Sequence, residues 1–241
     1  MKTVLITGAS RGIGRELALA FGKAGYAVGV NCHKEKEKAE AVVQEIFEAG
    51  NQEAEVFVCD VRDSIKVRQM VDGMVVRWGH LDVLVNNAGL IRDRTILKMT
   101  NAEWNDVIDV NLSGAFWCLR EASRVMCKEK SGHIINMASY MAITPGIGNS
   151  NYSASKAGLI ALTKAAAREL GRFHVSVNAV LPGFHETDMS AGLPAEHKKQ
   201  MISEHALGKS THVDDLTSMV LSLAQNSSVS GQVFNVDSRV I

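Results

Sequence analysis

The chain has 241 residues, 46% of them hydrophobic and 22% charged, which is an ordinary composition for a globular protein. Lys and Arg together number 26, as do Asp and Glu, so the formal net charge is zero. That balance excludes the basic excess typical of nucleic-acid-binding proteins and the acidic tail typical of solvating segments. No run approaches the ~18 apolar residues of a membrane span. The apolar run at the N-terminus stops at Thr7-Gly8, too early for a signal peptide.

The four cysteines (Cys32, Cys59, Cys118 and Cys127) are scattered along the chain and lack the spacing of a metal site. Free thiols in a reducing compartment are their simplest interpretation. We therefore expect a cytoplasmic protein without a bound metal, and without nucleic acid or a membrane as a partner.

Strand-like and helix-like segments alternate along the chain. The predicted strands are Lys2–Thr7, Ala27–Asn31, Glu55–Cys59, Leu81–Val85, Ile134–Met137 and Val175–Val180. The predicted helices are Gly12–Ala24, Lys34–Ala49, Ser64–Trp78 and Asn151–Leu170. The strands are almost continuously apolar, as in parallel strands that are covered on both faces. The pattern predicts an α/β fold of the Rossmann type, a doubly wound parallel sheet in a single domain over residues 1–241.

A glycine-rich turn joins the first predicted strand to the first helix. Glycines allow the backbone to approach a diphosphate closely, and the helix N-terminus then offers free N–H groups. The spacing is Gly-x-x-x-Gly-x-Gly, and its position between a strand and a helix predicts a dinucleotide site. The candidate cofactor-binding residues of the turn are Gly8, Ser10, Arg11, Gly12, Ile13 and Gly14.

The end of the second strand predicts which nicotinamide cofactor is used. Proteins of this fold that select NAD usually place an acid there to bind the ribose 2′-hydroxyl, but no acid occurs before Glu35. Arg11 and Lys34, with His33, could instead attract a 2′-phosphate. This favours NADPH, although Lys34 could simply solvate the start of a charged helix.

Two residues after the third strand, Asp60 and Val61, have two open interpretations. The carboxylate could accept a hydrogen bond from the adenine amino group. Alternatively it caps the next helix, since Asp63 and Ser64 are nearby.

Tyr152 and Lys156 carry the strongest chemical signal. Residues four apart share one face of a helix, so a phenol and an ammonium are presented together. A neighbouring cation favours phenolate and would lower the tyrosine pKa toward the working pH. Ser139 follows the strand Ile134–Met137, and ligands of open parallel sheets bind where strands end. We expect these three side chains to act on a carbonyl or an alcohol oxygen.

The motifs quoted so far stand in the order and spacing of the short-chain dehydrogenase/reductase family, which the chain resembles along nearly all its length. Asn86-Asn87-Ala88-Gly89, between the glycine turn and Ser139, belongs to the same pattern. The resemblance implies a seven-stranded parallel fold, commonly a homotetramer, and a fourth catalytic residue, Asn111, that holds a water relaying protons to the lysine. It also implies cofactor contacts from Asp60, Val61, Asn87, Ala88, Gly89, Pro182, Gly183 and Thr187, in addition to Tyr152 and Lys156.

Within the family, the chain is most similar to the 3-oxoacyl-[acyl-carrier-protein] reductases of bacterial fatty acid synthesis, for example in Ala88–Asp93 and Pro182–Met189. That similarity implies NADPH-dependent reduction of a 3-oxoacyl thioester, bound to a carrier protein or to CoA, to its 3-hydroxyacyl form. The alternatives are a dehydrogenase or carbonyl reductase of the same family with another small substrate and, further off, a non-catalytic NADP-binding protein. An acidic carrier protein could dock on Lys128, Lys130 and Arg172, although these also read as solvated helix ends.

The C-terminal end departs from the family pattern. The family often ends in Val-Asp-Gly-Gly, whereas Ser238 and Arg239 replace both glycines here. Because Ser and Arg do not tolerate positive φ cheaply, we expect a differently shaped tail. Asn149 also stands where a glutamine is common. The segment 184–205 is expected to form a lid over the pocket and to set the substrate.

Overall fold

The protein forms one seven-stranded parallel sheet. The structure, a computed structural model, describes residues 1–50, 53–185 and 195–240. The strand order is β3-β2-β1-β4-β5-β6-β7, and every neighbouring pair is parallel. The strands are β1 (Thr3–Ile6), β2 (Ala27–Cys32), β3 (Ala54–Val58), β4 (Val83–Asn86), β5 (Gly132–Met137), β6 (Val175–Leu181) and β7 (Val233–Asn235). The predicted doubly wound parallel sheet is therefore confirmed.

Helices cover both faces of this sheet. They are α1 (Gly12–Lys23), α2 (Lys36–Glu48), α3 (Ser64–Trp78), α4 (Asn101–Ile108), α5 (Ala115–Glu129), α6 (Ser150–Leu170), α7 (Ala195–Ser203) and α8 (Val213–Leu223). Side chains of β1 show how the layers are built. Val4 and Ile6 pack with α1, α2 and α8, whereas Leu5 packs with α3, α5 and α6. Because alternate residues of a strand point to opposite faces, both faces must be apolar, which explains the continuous apolar runs in the sequence.

The register of the strands brings their carboxyl ends to one edge. Ile6 pairs with Val30 of β2 and with Val85 of β4, and Val85 in turn pairs with Ile135 of β5. The segments that follow β1, β2, β4 and β5 therefore begin side by side. The order of the strands also reverses at β1, which has β2 on one side and β4 on the other. Such a reversal opens a crevice for a ligand.

Two regions of regular structure lie outside the sequence predictions. The first is the stretch of α4 and α5, joined by a π-helical turn at Asp109–Gly114. The second is the C-terminal part with α7, α8 and the three-residue strand β7. No helix in the described parts of the chain is long and apolar enough to cross a membrane. Within the same parts, no three His, Cys, Asp or Glu side chains are grouped to hold a metal ion.

Candidate active site

The glycine turn after β1 is packed tightly against the end of β4. Gly8 and Gly12 have positive φ angles of 64° and 54°, which glycine adopts at little cost. A Cβ atom on Gly14 would lie 2.3 Å from the Gly8 carbonyl oxygen and 2.5 Å from Nδ2 of Asn87. That Nδ2 group donates to the carbonyl oxygens of Thr7 and Gly8, at 2.9 and 3.1 Å. The turn thus leaves no room for a larger residue at Gly14.

Side chains of neighbouring strand ends hold the same turn. The Thr7 hydroxyl accepts hydrogen bonds from the backbone N–H groups of Asn87 and Ala88, at 2.9 and 3.0 Å. Asn31, at the end of β2, accepts from the Gly8 N–H at 3.2 Å. Its amide also donates to the carbonyl oxygens of Phe57 and Cys59, at 3.0 and 3.1 Å. One asparagine therefore joins the ends of three strands, a role the sequence analysis did not assign to it.

The geometry of the turn fits a dinucleotide. Helix α1 begins directly after Arg11 and has no side-chain hydrogen bond capping its N-terminus. Its first N–H groups are thus available for a diphosphate. A groove beside them is lined by Arg11, Ile13, Phe184 and the stretch Ser210–Val213. The residues present thus fit the predicted cofactor, which would supply hydride chemistry when bound.

A carboxylate already pairs with Arg11, one of the cations predicted to bind the 2′-phosphate. The Glu35 carboxylate forms salt bridges with Nε of Arg11 at 3.2 Å and with Lys38 at 2.7 Å. The Ser10 hydroxyl lies 3.4 Å from the same carboxylate. The hydrogen bond from Lys38, aided by Arg11, holds the pKa of Glu35 below its ordinary value. Lys34 is exposed. Arg11 therefore forms a salt bridge with Glu35, an acid that lies beyond the position at the end of the second strand where NAD-selective proteins usually carry one.

Asp60 is held by cations and does not cap a helix. Both of its carboxylate oxygens accept hydrogen bonds from Arg62, at 2.8 to 3.1 Å, and Nε2 of His33 lies 3.4 Å away. Asp63, not Asp60, caps α3 by accepting from two backbone N–H groups. Of the two interpretations of Asp60, the helix cap is thus wrong. Val61 is buried, and its side chain fills the space beside Gly114 in the π-helical turn.

Ser139 and Tyr152 meet at the carboxyl end of β5. Ser139 follows this strand and caps a short 3-10 turn through its hydroxyl. Its hydroxyl lies close enough to the Tyr152 phenol of α6 to influence the pKa of that phenol. Burial raises the pKa of Tyr152 above its ordinary value, the Ser139 hydrogen bond lowers it in part, and the Asp93 carboxylate raises it again. The expected net lowering of this pKa by Lys156 is therefore not found, and the phenol stays protonated at neutral pH.

Lys156 lies one helical turn after Tyr152. Its ammonium nitrogen is 5.7 Å from the centre of the Tyr152 ring and donates to the Met137 carbonyl oxygen at 2.6 Å. The side chain is almost completely buried, and this burial lowers the pKa of Lys156 to about 8. A group with such a pKa gains and loses its proton close to neutral pH, which suits a proton relay.

Asn111 positions α6, the helix that carries Tyr152 and Lys156. Its Nδ2 donates to the Leu90 carbonyl oxygen at 3.0 Å and to the Ser155 hydroxyl at 3.2 Å, while Oδ1 accepts from the Leu90 N–H at 2.8 Å. The Ser155 hydroxyl in turn donates to the Tyr152 carbonyl oxygen at 2.7 Å. Both amide hydrogens of Asn111 are thus in use, so the implied water cannot bind to them. Asn111 lies in the π-helical turn, a geometry frequent at functional sites.

Pro182 and Gly183 follow β6 at the same edge. Gly183 has φ of 83°, and a Cβ there would lie 2.2 Å from the Thr211 hydroxyl. The Pro182 carbonyl oxygen is 2.6 Å from Nε2 of His185. Thr187 lies outside the described residues, as does 186–194 of the expected lid; α7 covers Ala195–Ser203.

The basic cluster expected to dock a carrier protein lies at the opposite edge of the sheet. Lys128 and Lys130 end α5 directly before β5 begins, and Arg172 lies just before β6. A strand of six residues is about 20 Å long, so the cluster is separated from Ser139 by that length. Carrier docking at these residues is therefore not directed toward Tyr152 of the same chain.

Comparisons with known proteins agree with this geometry. The profile of the short chain dehydrogenase family matches residues 2–198. The 3-oxoacyl-[acyl-carrier-protein] reductase FabG of Staphylococcus aureus is 44% identical over 238 residues, covering 98% of this chain and 96% of that protein. The 3-oxoacyl-[acyl-carrier-protein] reductase of Synechocystis is 40% identical over 240 residues, covering 100% and 97%.

A solved structure shows the same fold. It comes from Sinorhizobium meliloti, and its name assigns it to the short-chain alcohol dehydrogenases. It superposes with a TM-score of 0.93 at 30% identity, covering 98% of this chain and 95% of that one. The family profile covers most of the chain, and the named relatives are 40–44% identical to it. This chain belongs to the short-chain dehydrogenase family.

Proposed function

We propose that the protein reduces a 3-oxoacyl thioester, bound to acyl carrier protein or to CoA, to its 3-hydroxyacyl form with NADPH. The observation that carries this proposal is that the Ser139 hydroxyl and the Tyr152 phenol lie together, with Lys156 beside them, at the strand ends next to the glycine turn. The names of the relatives at 40–44% identity support the choice of substrate. As a member of its family, the protein is an oxidoreductase that acts on CH–OH or C=O groups.

Each catalytic side chain has a separate task in this proposal. When bound, the cofactor supplies a hydride to the carbonyl carbon. Tyr152 gives its proton to the carbonyl oxygen, and Ser139 donates a hydrogen bond to the developing charge on that oxygen. Lys156 replenishes the proton, and Asn111 holds α6 in place through Ser155.

The proposed cofactor site runs along the strand ends. The glycine turn would hold the diphosphate, and Arg11, His33 and Lys34 would hold the adenosine ribose and its 2′-phosphate. NADPH is favoured because Arg11 and Lys34 are cations, while Glu35 opposes it by occupying Arg11. The other proposed cofactor contacts are Asp60, Val61, Asn87, Ala88, Gly89, Lys156, Pro182, Gly183 and Thr187.

Removal of one hydroxyl tests the proton-donor role. Tyr152→Phe is expected to lower the rate of NADPH oxidation with acetoacetyl-CoA at least a hundredfold, within the range that general acid catalysis contributes. NADPH affinity, measured by fluorescence titration, should change little. Tyr26→Phe, which removes a phenolic hydroxyl between α1 and β2, is the matched control and should keep its activity. Turnover by Tyr152→Phe close to that of wild type would contradict the proposal.

A second candidate function is that of a dehydrogenase or carbonyl reductase acting on another small alcohol or ketone. It is favoured by the name of the Sinorhizobium meliloti structure and by the salt bridge of Glu35 to Arg11, which suits NADH. Turnover of a secondary alcohol with NAD, without turnover of 3-oxoacyl thioesters with NADPH, would support it. A non-catalytic NADP-binding protein is less well supported, because the serine, tyrosine and lysine are all present.

We further propose that residues 1–241 act as a single domain with a lid at about 184–205, in a cytoplasmic homotetramer. Exposed aromatic side chains on α4 and α5 support self-association: Trp104 and Phe116 are 39% and 36% exposed. Arg120 lies over the neighbouring ring of Trp117, with its Cζ atom 4.7 Å from the ring centre. Analytical ultracentrifugation of wild type and Phe116→Glu tests this, since the charge should dissociate the tetramer.

A further inference from the structure

The C-terminal tail brings a buried arginine to the proposed active site. Arg239 is only 5% exposed, and its guanidinium carbon lies 3.9 Å from the centre of the Tyr140 ring. Tyr140 directly follows Ser139 at the end of β5. On the other side, Asp237 packs against Gly183 at the end of β6, where a Cβ on the glycine would be 2.9 Å from Cβ of Asp237. The arginine thus lies between two strand ends that border the catalytic serine.

Neighbouring contacts hold the tail in this position. Ser238 accepts hydrogen bonds from the backbone N–H groups of Ala206 and Leu207, both at 3.1 Å. The Arg239 carbonyl oxygen accepts from Asn235 at 2.8 Å. Neither Ser238 nor Arg239 has a positive φ; in the described chain, Lys130 and His174 are the non-glycine residues that do. The tail that carries Ser238 and Arg239 is therefore held without backbone strain.

The charge of Arg239 is balanced, but its hydrogen-bonding capacity is not used up. Nε donates to Oδ2 of Asp237 at 2.8 Å, and one terminal nitrogen donates to the same oxygen at 2.5 Å. A guanidinium has five N–H donors, so three remain, and no further side-chain hydrogen bond of Arg239 occurs among the described residues. The second oxygen of Asp237 accepts from the Arg239 backbone N–H at 2.9 Å. The aspartate is thus occupied, while the arginine can still bind an anion.

Two buried polar atoms near Arg239 are also available to a ligand. Nε2 of His205, itself only 3% exposed, lies 3.9 Å from Oδ2 of Asp237 and has no hydrogen-bond partner in the described structure. The buried Thr211 hydroxyl, beside Gly183, has none either. Buried donors and acceptors in folded proteins are nearly always paired, with protein, water or ligand.

We propose that Arg239 is a substrate-binding residue and that the substrate is a ketone that also carries a carboxylate, such as an oxo acid or an oxoacyl thioester with a free acid group. Arginine binds carboxylates through two parallel hydrogen bonds, and the stacked Tyr140 ring keeps the guanidinium plane fixed. This inference rests on the proposed reduction of a ketone at Tyr152. The substrate would then carry a carboxylate near the reacting carbonyl, where a fatty acyl substrate has an apolar chain.

A series of matched acids and esters tests the inference. The substrates are 2-oxobutanoate, acetoacetate, levulinate and 5-oxohexanoate, each with its methyl ester, so that the distance between ketone and carboxylate varies. For the acid of matching length, wild-type kcat/KM should exceed that of the ester by about tenfold or more, the size of a hydrogen bond to a charged group. Arg239→Gln should abolish this preference by raising KM for the acid, and Arg239→Lys should keep part of it.

Arg77→Gln is the matched control. Arg77 also stacks on an aromatic ring, with its Cζ atom 5.5 Å from the centre of Trp78, but it lies at the end of α3. The Arg77→Gln variant should prefer the acid over its methyl ester to the same extent as the wild type. Direct binding provides a second readout, since the matching hydroxy acid should raise the melting temperature of the wild-type protein with cofactor but not that of Arg239→Gln.

The outcomes separate the two proposals. Equal use of every acid and its ester by the wild type would overturn the role of Arg239 and leave ketone reduction intact. Equal losses for acid and ester in Arg239→Gln, with a lower melting temperature, would also overturn it and leave the arginine a purely structural clasp of the tail. Absence of turnover with all ketones, acidic or neutral, would instead count against the proposed function itself.

Discussion

Replacement of Lys156 by methionine should stabilise the protein at neutral pH while removing its activity. Lys156 is 4% exposed, and burial lowers its pKa to about 8 from the ordinary 10.5. The folded pKa is thus below the unfolded one, so the unfolded chain binds more protons between these two values. Stability must therefore rise with pH across this window. Because burial lowers the pKa of Lys156 from 10.5 to about 8, the free energy of unfolding is about 3 kcal/mol lower below the folded pKa, at ~1.36 kcal/mol per pH unit.

Urea unfolding of wild type and Lys156→Met measures this effect. The methionine variant should be the more stable at about pH 7, and wild type should regain about 2 kcal/mol relative to it by about pH 9.5. Loss of the hydrogen bond to the Met137 carbonyl oxygen lowers the variant's stability by about 1 kcal/mol at every pH and leaves the slope unchanged. The range stops there because, above about pH 10, ionisation of Tyr152 in the unfolded chain lowers the stability of both proteins alike.

Lys164→Met provides the control, because Lys164 lies on the same helix, two turns further, and is exposed. The difference in unfolding free energy between Lys164→Met and wild type should stay constant over the same pH range. A constant difference between wild type and Lys156→Met would refute the reasoning, because it would mean that Lys156 keeps an ordinary pKa in the folded protein.

Two further predictions concern cofactor binding. Glu35→Gln should tighten NADPH binding about three- to tenfold without tightening NADH binding, because Arg11 is released to the 2′-phosphate. Fluorescence titration measures both affinities; the exposed Glu37→Gln is the control, and unchanged NADPH affinity would count against the competition. Gly14→Ala should weaken binding of both cofactors about 10- to 100-fold, since the 2.3 Å contact forces the turn open at ~1–3 kcal/mol. Gly171→Ala, with nothing within 4 Å of the added atom, should bind normally, and equal behaviour of the two alanine variants would contradict the crowding argument.

The fold was largely predictable because each strand of a doubly wound sheet is apolar on both faces. The first six strands and four helices were predicted with bounds within one or two residues. The strand β7 was not, since three half-buried residues carry no periodicity. Helix α4 was missed although its start has a signal: Thr100 and Glu103 form a capping box that a search for Thr-x-x-Glu would have found.

The candidate site was predictable where chemistry depends on spacing along one element. Tyr152 and Lys156 share a helix face, and Ser139 ends a strand, so topology alone brings them together. Contacts between distant side chains could not be predicted in this way. The salt bridge of Glu35 to Arg11 and the stacking of Arg239 on Tyr140 depend on loop paths and rotamers, which hydrophobic patterning does not determine. The raised pKa of Tyr152 likewise depends on burial, which outweighs the opposing hydrogen bond from Ser139.

The fastening of the glycine turn by Thr7, Asn31 and Asn87 has a consequence for how the nucleotide binds. These hydrogen bonds fix the turn before any ligand arrives, so its conformational entropy is lost during folding and not during association. A preorganised turn should bind the diphosphate with little reordering of its own backbone. Nucleotide association at this end should therefore be fast and nearly independent of slower motions elsewhere in the chain.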